Sequence, residues 1–195
     1  MKNERYKVVK PLTLVVALIS AFVLSANAAD TFKVDAVHSF ALFSVQHLGI
    51  ANTYGRFNDI SGTVVFDKDN PSNSSVELSV KVESLDTHNS IRDRSLKSPD
   101  FFDAKQFPTM NFKSTKVEGS GDALKVSGDL TIHGVTKPLT VDFKKGGEGK
   151  GVFGEMRGGG ETRFTIKRSD FGMNFQQGAV GDEVNITLSL EGIKK

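Results

Sequence analysis

The sequence predicts an all-β protein: an eight-stranded antiparallel barrel with one short helical excursion. Three observations lead there. Ser75–Leu85 alternates Val76, Leu78, Val80 and Val82 with Glu77, Ser79, Lys81 and Glu83, and Glu183–Ile193 alternates Val184, Ile186, Leu188 and Leu190 with Asn185, Thr187, Ser189 and Glu191. Period two sustained over that length is a strand with one wet face. The stretch VHSFALFSVQHLGIANTYGRF (Val37–Phe57) instead carries apolar residues on both faces, through Phe40, Ala41, Leu42, Phe43 and Val45. Such a strand is covered on both sides. Only Thr87–Lys97 departs from the strand pattern for a helical one. Eight strands close around a space that holds one small ligand, and closure removes edges that invite aggregation; a sandwich is the less economical arrangement.

In chain order, Thr31–Asp35 and Val37–His47 make the first strand and Ile60–Asp67 ends the second. Asp67–Ser74 is a loop of turn-forming Asp, Asn, Pro and Ser. The third strand is Ser75–Leu85. Thr87 or Asn89 is placed to cap a helix that Ser98-Pro99 stops. Its apolar stripe is only Ile91 and Leu96, so a short surface helix is expected. SPDFFDAKQFP then leaves Phe101, Phe102 and Phe107 in a loop, where they need a dry surface; a lid over an apolar opening would supply one. Strands resume at Thr109–Glu118, Ala123–Ile132, Leu139–Lys144 and Glu161–Lys167, with turns at Gly119–Asp122, His133–Pro138 and Ser169–Met173. Gly146–Gly160 holds eight glycines in 15 residues and reads as a mobile hairpin loop at the barrel rim.

The first 28 residues read as a secretory signal. Lys2, Arg5, Lys7 and Lys10 precede an apolar run, Leu12–Leu24, and Ala26-Asn27-Ala28 is a small-x-small site that places cleavage between Ala28 and Ala29. The run of 13 residues is short of the ~20 that span a bilayer. Residues 29–195 are then one exported domain, expected in the periplasm without a stable membrane anchor. Removing the signal leaves 21 Lys/Arg against 22 Asp/Glu, so the excess positive charge belongs to the leader. No clustered basic face remains for nucleic acid. With no cysteine, disulfides and thiolate metal sites are excluded.

The remaining candidates for chemistry read as structural. His38, His47, His88 and His133 show no metal-ligand spacing, and no metal or other cofactor is expected. On one continuous strand His38 and His47 would face opposite sides. Asp35, His38 and Ser39 are too close in sequence to build a triad, and no GxSxG elbow is present, so no catalytic residue is assigned. The glycine run lacks the phosphate-loop pattern. An eight-stranded outer-membrane barrel would carry Trp and Tyr girdles, whereas this chain has no Trp and one Tyr, Tyr54, beyond the leader.

HSFALFSVQHLGI followed by GRF, FDKDNP, RDRSLKSPDFFDAKQFP and GDLTIHGVTKPLTVDF resembles the YceI-like family, in order from about Asp30 to Gly192; GVTKP is the most specific piece. The resemblance implies a lipocalin-like barrel, periplasmic, that binds a polyisoprenoid or related long-chain lipid, with a quinone among the candidates and roles in transport and stress response. A homodimer is the oligomer to expect if one forms. It also implies a hollow interior, which periodicity alone does not show. The candidate lining is Phe40, Phe43 and Val45 from the first strand, Val80 and Val82 from the third, and Phe101 and Phe102 from the loop. Later strands add Phe112, Val126, Leu130, Ile132, Val141, Phe143, Phe164, Ile166, Ile186 and Leu188. Arg92, Arg94 and Lys97 form a candidate basic rim for a lipid headgroup. A non-enzymatic carrier is expected; an enzyme acting on a lipid at the barrel mouth is the alternative.

Overall fold

The computed structural model describes residues 29–195; the expected signal and Ala28 of its cleavage site lie outside them. The strands are β1 (Asp30–Val34), β2 (Phe40–His47), β3 (Ala51–Phe57), β4 (Ile60–Phe66), β5 (Ser75–Lys81) and β6 (Leu85–Asp86). After α1 (Ser90–Lys97) come β7 (Thr109–Ser120), β8 (Ala123–Ile132), β9 (Val135–Lys150), β10 (Met156–Lys167) and β11 (Val180–Lys194). All pairings between strands are antiparallel.

The sheet closes in the order β1-β4-β5-β7-β8-β9-β10-β11 and back to β1, eight staves in all. β2 and β3 continue β1 and β4 rather than adding staves. Long β11 pairs β2 over Val180–Ser189 and β1 over Gly192–Lys194, so β1 and β2 are one strand interrupted at Asp35–Ser39. The interruption is a tight turn in which His38 N donates to Asp35 O (3.2 Å) and Val37 N to Asp35 Oδ1 (3.0 Å). Ser39 repairs the ladder. Its Oγ donates to Glu191 O (3.1 Å) and accepts from Glu191 N (3.0 Å), with the residue 5% exposed. The first strand is therefore not continuous, and a parity argument cannot be carried from His38 to His47.

Two hairpins turn on left-handed residues. Leu48 and Gly49 have φ of 54° and 68°, and His133 and Gly134 have 51° and 73°. Positive φ at both central residues matches the twist of the flanking strands. The second turn needs only those two residues, so β9 begins at Val135, earlier than expected. The glycine run also differs from expectation. β9 continues to Lys150 and β10 starts at Met156, so most of the glycines are strand and only Gly151–Glu155 is loop. On β10 neighbours approach closely: a Cβ on Gly159 would strike the backbone of Leu190, and one on Gly160 the Lys144 carbonyl and the Phe143 ring, whereas Gly147 and Gly149 on β9 have open space around them.

Apolar faces point inward. Val117, Val126 and Val141 form one buried cluster, and Val34, Ile60, Leu78 and Leu190 another. The outer face of β8 and β9 carries the Lys125–Asp142 ion pair (2.6 Å) and the Ser127–Thr140 hydroxyl pair (2.9 Å). That is water-facing chemistry, opposite to a lipid-facing barrel.

Candidate lipid cavity

The barrel encloses a cavity of about 280 Å³, lined almost entirely by hydrocarbon. Of the side chains expected to line it, all but Phe40 and Val82 do. Phe40 has the opposite parity to Phe43, so it emerges on the outer face, 43% exposed. Val82 is buried at 1% exposure, but it opens the 3₁₀ turn Val82–Ser84 where the alternation of β5 ends, and it does not reach the lumen.

Glycines explain why a barrel rich in phenylalanine is hollow. A Cβ added at Gly55, Gly128 or Gly160 would collide with the ring of Phe43, Phe112 or Phe143 respectively. Each ring occupies the space that a neighbouring strand's side chain leaves free. It therefore lies along the wall instead of across the lumen, and the centre stays open.

One end of the cavity is capped. Asn89 caps α1, its Oδ1 accepting from Ile91 N (3.1 Å) and Arg92 N (3.0 Å). Arg92 donates to Thr87 Oγ1 (2.8 Å) and Thr87 O (2.7 Å), while Asp93 Oδ1 accepts from Thr87 N and Oγ1 (2.9 and 2.6 Å). Lys97 Nζ donates to Glu83 O (2.6 Å). Two of the three expected rim cations thus fasten the helix to the barrel, and none of the three lines the cavity. Phe101 and Phe102 do line it. Phe102 meets Phe57 edge-on at 5.6 Å, and Phe57 meets Phe43 at 5.7 Å, so rings run from cap to wall. Phe101 is only 6% exposed and meets Phe175 edge-on at 5.5 Å, which makes it core as well as lining. Phe107 lies outside the lumen against His133, 4.8 Å between centroids.

Arg168, which the sequence reading missed, anchors the second half of the cap. It is 4% exposed, and its guanidinium donates to the carbonyls of Gly181 (3.0 Å), Met173 (2.6 Å), Phe175 (2.8 Å) and Val180 (3.0 Å). Burial lowers its pKa, countered by the nearby Asp182 charge. Asp182 in turn accepts from Ser169 N (3.0 Å) and Oγ (2.8 Å), which hold its own pKa down. Parity was the available signal: Phe164, Ile166 and Arg168 share the inward face of β10 and its continuation.

The opposite end is open and charged. Lys145, Glu148 and Ser74 reach the cavity there, beside Phe66, Gly158 and Gly192. Lys145 Nζ pairs with Glu148 (2.9 Å) and lies 4.4 Å from the Phe66 ring centroid, a cation–π contact.

Outside the barrel wall, Arg157 Nη1 meets Asp35 (2.8 Å) and Glu191 (2.6 Å), and its Nε meets Glu155 (2.7 Å). Asp35 also bonds His38 Nδ1 at 2.8 Å, and its pKa falls to about 2, chiefly through that bond and then through Arg157. Ligand atoms of Asp35, His38 and Glu191 lie within 4.8 Å of one another, but the guanidinium already bridges the two carboxylates as a cation would. The Asp35–His38–Ser39 arrangement does not make a nucleophile, because Ser39 Oγ is committed to Glu191 backbone. The other histidines are dispersed, with His47 ending β2, His88 preceding α1 and His133 Nδ1 near Phe171 O at 3.1 Å.

The family model for the YceI-like domain matches residues 32–192. A UPF0312 protein of Pseudomonas aeruginosa is 41% identical over 172 residues, covering 87% of this chain and 90% of its own. The crystal structure of Burkholderia cenocepacia BcnA superposes with a TM-score of 0.71 at 27% identity, covering 81% of this chain and 98% of BcnA. A polyisoprenoid-binding domain from Saccharophagus degradans, implicated in plant cell wall breakdown, shares the fold with a TM-score of 0.66 at 15% identity, covering 84% and 98% of the two chains. With the barrel, its cavity and these likenesses together, the chain belongs to the YceI-like family.

Proposed function

We propose that the protein is a carrier that binds a long isoprenoid or related lipid, hydrocarbon inside the barrel and polar end at the Lys145–Glu148 mouth. The observation that carries this is the cavity itself: about 280 Å³ and lined almost entirely by hydrocarbon, with Lys145 and Glu148 at one end and, at the other, Arg168 already committed to backbone carbonyls. That volume is at the small end for ligand sites, which suits a chain better than a bulky polar molecule. Each buried CH₂ contributes roughly 0.8 kcal/mol, so an isoprene unit contributes about 4. A few units offset the roughly 4–15 kcal/mol cost of association without a strong polar contact. The polyisoprenoid-binding description of the Saccharophagus domain supports the reading, since the same fold there is assigned such a ligand. The sequence of residues 1–28 supports export to the periplasm, with Ala29 as the first residue after cleavage.

Native mass spectrometry of gently purified protein tests the reading. A co-purified lipid, and saturable uptake of a polyprenol by the delipidated chain, are expected. A chain that emerges empty and takes up no polyprenol or fatty ligand would overturn it. An N-terminus at Ala29 in the osmotic-shock fraction is the expected localisation result, and intact Met1 the contrary one.

A further inference from the structure

The β9–β10 ribbon outruns the wall it belongs to. β8 stops pairing with β9 at Ala123↔Lys144, and β11 ends beside β10 at Arg157↔Ile193, yet β9 continues to Lys150 before returning at Met156. The tip beyond is held in one shape. Gly151 N donates to Glu155 O (2.7 Å), Gly154 N to Gly151 O (3.0 Å), and Phe153 N to Glu155 Oε2 (3.1 Å). Arg157 fixes the same carboxylate from the other side (2.7 Å). That ordered turn presents Val152 and Phe153 to solvent, each 92% exposed.

Single exposed apolar residues need no explanation. Two adjacent bulky ones, fixed at the point of a protruding turn, do. On the ribbon around them Lys145 and Arg157 are taken up by carboxylates, while Lys144 and Lys150 are exposed and form no ion pair among the described residues. An apolar wedge flanked by cations matches the chemistry of an anionic lipid surface. The same ribbon supplies Lys145, Glu148, Gly158 and Gly159 to the open end of the cavity.

We propose that Val152 and Phe153 insert into the headgroup region of an anionic bilayer, so that the cavity mouth faces the membrane and a lipid chain passes between them without crossing water. The purpose of this docking rests on the lipid-binding reading; the docking itself does not.

The chain has no tryptophan, so Phe153→Trp in the full chain gives a single reporting indole. With phosphatidylcholine vesicles containing phosphatidylglycerol, its emission shifts to the blue and is quenched by brominated acyl chains. Ile50→Trp, on the β2–β3 turn at the capped end and 81% exposed in the parent, shows neither change. The double variant V152S/F153S loses co-sedimentation with those vesicles by roughly tenfold or more, as expected when the apolar part of an interfacial anchor is removed. Its uptake of polyprenol in solution stays at the parent level. An unshifted Phe153→Trp, or an equal response from Ile50→Trp, overturns the docking. Failure of the parent to take up polyprenol in solution would overturn the lipid-binding reading and leave the fluorescence result to decide the docking.

Discussion

The two ends of the barrel are finished on opposite principles. At the helix end the cations that contact the structure are committed: Arg168 to four carbonyls, Arg92 to Thr87, Lys97 to Glu83. At the glycine end Lys145 and Glu148 hold mainly each other, with side chains 23% and 35% exposed. Charge spent on backbone carbonyls, as at Arg168, closes a structure, because buried polar groups require partners. Charge paired at the surface leaves a path that water and ligand can use. The family of contacts, more than the number of cations, distinguishes a plug from a mouth.

Five measurements test whether the two ends differ in this way. Arg168→Met strands four acceptors, and since each buried unsatisfied group costs roughly 1–3 kcal/mol, a loss of at least about 3–4 kcal/mol is expected in urea unfolding. Lys at the same position should restore little, having no fork to span four carbonyls. Phe101→Ala should cost about 3 kcal/mol of apo stability, as for other buried rings; a loss below about 1 would make the ring a lid and not core. Gly55→Ala, whose added Cβ meets only side-chain atoms, should drive the Phe43 ring off the wall, costing roughly 1–3 kcal/mol and reducing polyprenol capacity; unchanged capacity would show that the ring has another place to go.

The fourth measurement concerns the clasp outside the wall. Asp35 titrates near 2, below its ordinary 3.8, so its contribution to stability is complete above about pH 4 and disappears as the pH falls toward 2. Asp35→Asn should therefore show a flatter melting temperature between pH 4 and 2 than the parent, and equal slopes would discount the clasp. The smallest effect belongs to the mouth. Lys145→Met should change stability by no more than about 1 kcal/mol, as for other partly exposed pairs, while altering the rate of lipid release. A loss matching that of Arg168→Met would erase the distinction between the ends.

Much of this was legible from residues alone. Periodicity located all eight staves, because inward and outward faces alternate locally, and the same alternation picked out most of the lining. It failed wherever a tertiary event intervened. Phe40 was grouped with Phe43 although they are three apart, and Val82 was counted past the point where β5 stops. Arg92 and Lys97 looked like a solvent-facing rim because nothing in a single helix says which groups await it on the barrel. Gly159 and Gly160 look like loop because what they make room for, the Leu190 backbone and the Phe143 ring on neighbouring strands, is remote in sequence. Arg168 carries a charge that a core position does not suggest, though its parity with Phe164 and Ile166 points inward.

The interrupted first strand has a kinetic consequence. Phe32 pairs with Lys194, Lys195 N donates to Thr31 O (2.8 Å), and Asp30 bonds Lys194 (2.6 Å), so the barrel is sealed by its first and last strands. Closing a loop of nearly the whole domain is the most entropically demanding contact in the molecule. A topology dominated by such distant pairings folds slowly. The stave cannot be set until β11 has been synthesised, so the growing polypeptide stays unsealed until then. The same proximity makes β1 and β11 joinable: residues 29–195 permuted by a link between those two strands and reopened at Gly151–Glu155 would trade the slowest closure for a covalent one, and should fold faster than the unpermuted residues 29–195.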